Sequence, residues 1–201
     1  MRKRIGAALI ALGALSVIAA MVLLVRNYGE SRAAGAAADE RAEALAGYVQ
    51  ADVPPATPTA AEEDEYAGLD PVVFLDGYDY IGSIQIPNLK LNLPVMATWD
   101  YEKLRLSPCR HFGAAKDGDL VIAAHNYPTH FGRIGVLDVE DSVRFTGVDG
   151  TEYNYTVAGK ETISPDEVSK VESSGHALVL YTCTRGGAKR VVVYCDLETG
   201  E

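Results

Sequence analysis

Three residue types that can act together in acyl chemistry stand at the ends of apolar runs in this sequence. Cys183 closes "ALVLYTC" just before the turn "TRGGAK", and Arg190 opens the next run, "RVVVYC". A thiol at a strand end beside a Gly-rich turn is displayed at the rim of a domain on a rigid support. A cysteine nucleophile works as the thiolate, and an imidazole that takes or shares the proton is its usual activator. A lone cysteine can equally be a small buried hydrophobe, so the reading depends on partners.

The chain has four histidines, His111, His125, His130 and His176. His125 in "DLVIAAHNYPTH" directly follows the apolar run Leu120 to Ala124, which places it at a strand end like Cys183. Position therefore favours His125. Six residues, Thr184 to Lys189, separate Cys183 from Arg190, and hairpin pairing across that turn would bring the two together. A fixed cation there could stabilise a thiolate and donate hydrogen bonds to a developing oxyanion. Arg185, inside the turn, is a rival for that role. Asn126, Tyr127 and Thr182 flank the pair and are candidates to line a peptide groove. Alternation also points the Thr182 side chain away from that of Cys183, which leaves a core or backbone-supporting role open.

The elements that must position these residues read as short strands. From Tyr80 onward, apolar runs are bounded by turn residues, with candidate strands at Ile81–Ile86, Leu91–Met96, Asp119–Ala124, Ser142–Thr146, Tyr153–Ile163, Ala177–Cys183 and Arg190–Leu197. Asp149-Gly150 is a good hairpin turn. Helices are few and short: "SPDEV" from Ser164 has Pro165 at the first helical position and the Ser164/Glu167 pattern of a capping box, and others are expected near Asp100 and Arg133. The class is all-β, a barrel or sandwich, and a barrel leaves no open sheet edge.

Before this domain, residues 5–25, "IGAALIALGALSVIAAMVLLV", carry no charge and are long enough to cross a bilayer. Arg2, Lys3 and Arg4 precede them, which by the positive-inside rule keeps residues 1–4 in the cytoplasm and sends the rest outside. A signal peptide cleaved near the small residues Ala33–Ala38 is the alternative, although such signals have a shorter apolar region. Residues 26–74 read as an extracellular stalk, with a helix over Ala36 to Gln50 followed by a Pro, Ala and acid-rich stretch and then "LDPVV" at Leu69–Val73. Residues 75–201 form the folded domain.

All 28 acidic residues lie beyond the apolar run and the formal net charge is −10. That balance argues against nucleic acid as a partner, since such a site presents a basic patch. The acidic run Glu62–Glu65 lacks the ligand spacing of a metal site, and no cofactor is called for. Of the three cysteines, Cys109, Cys183 and Cys195, at least one is unpaired. Cys109 and Cys195 are expected as buried thiols, with a bridge between them as the alternative.

Several of these stretches together resemble a known family. "VLYTC" resembles the T-L-x-T-C signature of the sortases, membrane-anchored cysteine transpeptidases of Gram-positive bacteria, with Val179 where the signature has its first threonine. "VIAAHN" is similar to the family's strand ending in the catalytic histidine, with Ala124 where glycine is common. "KRVVVYC" resembles the strand that opens on the catalytic arginine, and "YDYIGSIQIPNLKLNLPV" the family's opening strands. The resemblance covers about Tyr80 to Leu197.

It implies a closed eight-stranded β-barrel preceded by one transmembrane helix and a stalk, with the catalytic domain outside the cell. It also implies Cys183 as nucleophile, His125 as general acid and base, and Arg190 as the group holding the sorting signal and oxyanion. The implied partners are a sorting-signal peptide of LPxTG type and an amine acceptor such as a peptidoglycan precursor. A single-purpose or housekeeping enzyme of the class B or class D type fits better than a pilus polymerase. A hydrolytic cysteine peptidase and an inactive surface-binding module are the competing functions.

Overall fold

Strict alternation along the strands decides which side chains fill the interior. On the strand ending at Cys183, Leu178 and Leu180 join one large buried cluster with Leu120, Ile122, Val193 and Cys195. Val179 belongs to a separate cluster with Val121, Ile163, Val171 and Val192. Successive side chains thus serve opposite faces of the sheet, as the two-residue period of a strand requires. The first cluster is the interior of a barrel, and the second lies on its outer face.

The computed structural model describes residues 2–51, 66 and 68–198. Its strands are β1 (Val73–Leu75), β2 (Tyr78–Ile86), β3 (Leu91–Met96), β4 (Cys109–Phe112), β5 (Leu120–Ala124), β6 (Ser142–Gly147), β7 (Glu152–Ile163), β8 (Leu178–Cys183) and β9 (Arg190–Leu197). They hydrogen-bond in the order β1-β2-β3-β4-β5-β8-β9-β7-β6, and β6 returns to pair with β2. Eight strands, β2 to β9, therefore close on themselves. The ninth, β1, pairs with Tyr78–Tyr80 of β2, beyond the stretch that β6 occupies.

Closure runs through a tight spot at Gly82. A Cβ there would stand 2.2 Å from the Thr146 carbonyl oxygen and 2.7 Å from the Phe145 ring, so only glycine lets β2 pair with β3 and β6 at once. Most pairs are antiparallel, but β5 lies parallel to β8, with Leu120 opposite Leu178 through to Ala124 opposite Thr182. The barrel is mixed and closed, in accord with the architecture implied by the sequence.

The short helices follow their caps. In α2 (Tyr101–Leu106), Asp100 accepts from the Glu102 and Lys103 backbone N–H groups, which is ordinary N-capping. The Ser164/Glu167 capping box is present and starts a 3-10 turn that leads into α3 (Ser169–Glu172). A further 3-10 turn covers Ile134–Val136. Strands β1 and β4 were not expected: three residues after a proline, and four containing an arginine and a histidine, show no apolar alternation.

The N-terminal helix α1 spans Arg2–Gln50, and the chain divides into two compact units within it, at Ala33/Ala34. In the first unit, Leu9 to Val25 expose their large apolar side chains, and the helix is long and apolar enough to cross a membrane. The second unit joins the end of α1 to the barrel. Ala34, Ala38, Ala42 and Leu45 are buried in it, and Arg41 lies over the Tyr78 ring at 5.4 Å.

The stretch assigned to a stalk is thus in part built into the folded unit. Its other packed part begins at Leu69. Asp70 is buried and accepts from the backbone N–H groups of Ala115 and Lys116, while Val72 and Val73 are core residues. Small residues on one face of α1 and a carboxylate clamp do what composition alone would assign to a spacer. Residues 52–65, the Pro and acid-rich part of the stalk, lie outside the described residues.

Candidate active site

Register places the three proposed residues in one row. Cys183 and Arg190 are direct partners across the antiparallel β8–β9 pair. On the other side of β8, Ala124 pairs with Thr182, so one residue further along each chain His125 stands beside Cys183. Asn126 continues the contact: its side-chain amide donates to the Thr184 carbonyl at 3.3 Å.

Alternation puts the row on the outer face, because Leu120, Ile122, Leu178, Leu180 and Val193 point inward while Val121, Val179 and Val192 point outward. His125, Cys183 and Arg190 continue the outward sets of their strands and are all half-buried. Neighbouring strands lie about 4.8 Å apart, so His125 and Arg190 flank Cys183 on its two sides.

The β8–β9 turn holds the pair in register. Thr184 and Lys189 close it with a backbone bond of 2.8 Å, and the Lys189 N–H donates to the Thr184 hydroxyl at 3.0 Å. Gly186 and Gly187 both have positive φ, 91° and 77°, a region glycine enters without strain. The Arg190 guanidinium donates through Nη1 to the carbonyls of Gly187 and Lys189. Arg185 lies within the exposed turn, outside the row.

Burial depresses the His125 pKa, and the positive charge of Arg105 on α2 pushes it the same way. The imidazole is therefore neutral at physiological pH and ready to accept a proton. Beside Cys183 on the same face, Tyr181 is held as the neutral phenol chiefly by burial; the Arg190 charge acts on it in the opposite sense. Its ring meets that of His111 edge-on at 5.5 Å, and His111 meets Trp99 in the same way at 5.5 Å. Trp99 and Tyr101 are exposed, so an aromatic strip runs from α2 to the row.

The flanking candidates take supporting positions. Thr182 is only 2% exposed and its hydroxyl donates to the Ala124 carbonyl at 2.7 Å, so it ties β8 to β5 from inside the barrel and does not line a groove. Tyr127 is buried, and its ring contacts those of both His125 and His130. The remaining histidines stand apart from the row: His176 pairs with Asp196 at 2.7 Å, and His130 is fully buried. Cys109 and Cys195 are buried free thiols. Among the described residues, no cluster of three or more His, Cys, Asp or Glu could hold a metal ion.

Arg105, Tyr181 and the His130 ring were not singled out from sequence. The two-residue spacing from Tyr181 to Cys183 is the one signal that pointed to any of them.

The family model described as a sortase domain matches residues 84–198, more than half of the chain. Sortase A of Bacillus anthracis is 33% identical over 137 residues, 61% of this chain and 62% of that protein, so the chain spans somewhat under two thirds of that relative's length. Among solved structures, Listeria monocytogenes sortase A is similar at 27% identity with a TM-score of 0.53, covering 60% of this chain and 88% of that one. Sortase C-3 of Streptococcus pneumoniae shares the fold at 21% identity and a TM-score of 0.56, covering 87% and 85%. A Clostridium perfringens sortase D5 transpeptidase does so at 18% identity and 0.53, covering 71% and 91%.

Proposed function

The chain belongs to the sortase family, and from that premise we propose that it is a membrane-anchored cysteine transpeptidase. Its domain would lie outside the cell, with residues 1–4 in the cytoplasm, residues 5–25 as the anchor and residues 75–201 as the catalytic barrel. The observation that carries the reading is the row itself: a thiol, an imidazole and a guanidinium on one outer face, level across three adjacent strands.

In the proposed reaction His125 takes the Cys183 thiol proton as the Sγ attacks a peptide carbonyl in a sorting motif of LPxTG type. Arg190 donates hydrogen bonds to the oxyanion that forms, a contribution of about 3 kcal/mol to the barrier in comparable sites. The C–N bond then breaks, and His125 delivers a proton to the leaving amine, which leaves a thioester on Cys183. An acceptor amine, such as that of a peptidoglycan precursor, attacks the thioester while His125 takes its proton. The new amide departs and the thiol is regenerated. The depressed His125 pKa suits the base half of this cycle, since a neutral imidazole is the proton acceptor.

The test is product analysis by mass spectrometry, with the full chain in detergent, an LPxTG-type peptide and an excess of oligoglycine. Amide product and a trapped acyl adduct on Cys183 are expected, both lost in Cys183→Ala. Hydrolysis alone, with no amide at any amine concentration, would make the protein a peptidase. Absence of any Cys183 adduct would leave only a binding module.

A further inference from the structure

His125 packs on one ring that the chemistry above does not use, and that ring packs on another. The Tyr127 ring lies 5.0 Å from that of His125, tilted by 35°, and the His130 ring lies 5.6 Å from that of Tyr127. His130 is 0% exposed, and the polar group that reaches its ring is the Ala34 backbone. Burial, then the charge of His125, push its pKa down to about 4, while the Ala34 backbone acts in the opposite sense.

The loop around these rings is tightly fixed. The Tyr127 carbonyl accepts from the N–H groups of both His130 and Gly132, and that of His125 accepts from Phe131. Phe131 is anchored in the barrel interior. A Cβ on Gly132 would stand 2.3 Å from the Asn126 carbonyl oxygen, so the loop closes only with glycine there. From outside, α1 presses on the same loop: a Cβ on Gly35 would lie 2.8 Å from the Thr129 side chain. Ala34 and Ala38, beside Gly35, are buried.

We propose that Tyr127 and His130 are positioning residues that hold the His125 imidazole from behind, and that α1 from Ala34 onward clamps this stack as part of the active site. The inference rests on His125 being the catalytic histidine. A flat aromatic ring against one face of an imidazole restricts its rotation about χ2, so that a ring nitrogen stays aimed along the row. The neutral His130 packs against Tyr127 without placing a second positive charge near a group that must accept a proton. Arg105 is the cation that acts on His125 from α2, and the Ala34 backbone is the polar group that α1 brings to His130.

The experiment uses the full chain in detergent and two readouts, steady-state kinetics and NMR titration of the histidine ring protons, with the His125 signal assigned from His125→Gln. Tyr127→Leu keeps buried volume but removes the ring. It is expected to lower kcat at least ten-fold with KM within two-fold and to shift the His125 titration upward as the ring becomes better hydrated. Tyr127→Phe should restore most of the turnover and the wild-type titration. Gly35→Ala should lower kcat in the same direction, and adding Thr129→Gly should recover it.

A rise in KM with kcat preserved would make Tyr127 a groove residue and overturn the proposal. An unchanged His125 titration in Tyr127→Leu would overturn it as well. Full activity in His125→Gln would instead remove the catalytic reading beneath it. The titration reads the stack whether or not a substrate has been found, so the two failures are distinguishable. Should Tyr127→Leu fail to fold, Gly35→Ala and its Thr129→Gly partner carry the same kinetic and titration expectations.

Discussion

Cys183 and Arg190 are direct cross-strand partners, the last residue of β8 facing the first residue of β9 on the outer surface of the barrel. Cross-strand neighbours on one face have Cβ atoms about 4.5–5.5 Å apart, a separation the long arginine side chain spans easily. The guanidinium folds back over the turn onto the Gly187 and Lys189 carbonyls through Nη1, which uses only part of its five donors.

That placement separates the two arginines of the turn. Arg190→Ala is expected to lower kcat/KM by at least a hundred-fold, in line with the loss of an oxyanion donor, and Arg190→Lys to recover little, since a point charge does not reproduce the planar fork. Arg185→Ala should retain most activity. Turnover of an LPxTG-type peptide with each variant is the measurement, and the opposite ranking would transfer the role to Arg185.

Arg105 on α2 adds to the effect of burial on the proton affinity of His125. Its positive charge opposes protonation of an imidazole already depressed by burial, so removing it raises the His125 pKa. In Arg105→Gln the acid limb of the kcat/KM profile, where the free imidazole is lost to protonation, should therefore move to higher pH. Burial is the larger cause, so the pKa should stay below that of a free histidine. A limb that stays in place would mean that it reports some other group.

His130 links the same loop to stability in acid. Its folded-state pKa of about 4 lies below the ordinary value of 6.5, so below about pH 6.5 the unfolded chain binds a proton that the folded chain refuses. Stability is then lost progressively as pH falls from 6.5 toward 4. His130→Phe removes this titration and should flatten the thermal-stability profile over that window, measured by circular dichroism at a series of pH values. An equally steep decline in the variant would assign the acid sensitivity elsewhere.

How far the sequence could be read depended on periodicity. Runs of strand-forming residues bounded by turn signals, such as Tyr153–Ile163 and the apolar Ala177–Cys183, became β7 and β8 with nearly the expected ends. The row of Cys183, His125 and Arg190 was legible because all three sit where an apolar run starts or stops. β1 and β4 were not, since neither buries a full alternating face.

The packed end of α1 was hidden for a different reason. An Ala-rich helix shows little apolar contrast, yet small residues such as Gly35 and Ala38 are what allow it to lie close against the loop that follows His125. The ring stack on Tyr127 and His130 likewise depends on a loop conformation for which spacing alone gives no sign.

Thr182 tests whether a residue next to the nucleophile acts on substrate or on the sheet. Its hydroxyl donates to the Ala124 carbonyl from inside the barrel, and the Ala124–Thr182 pair is the last rung before His125 and Cys183. Thr182→Val keeps the shape and leaves that carbonyl without its side-chain donor, a loss of about 1–3 kcal/mol for a buried group. A lower Tm and a fall in kcat are expected, with KM little changed, because the β5 end would hold His125 less firmly against β8. Calorimetry and steady-state kinetics on the same preparation read both quantities. A rise in KM at unchanged Tm would place Thr182 in the peptide groove.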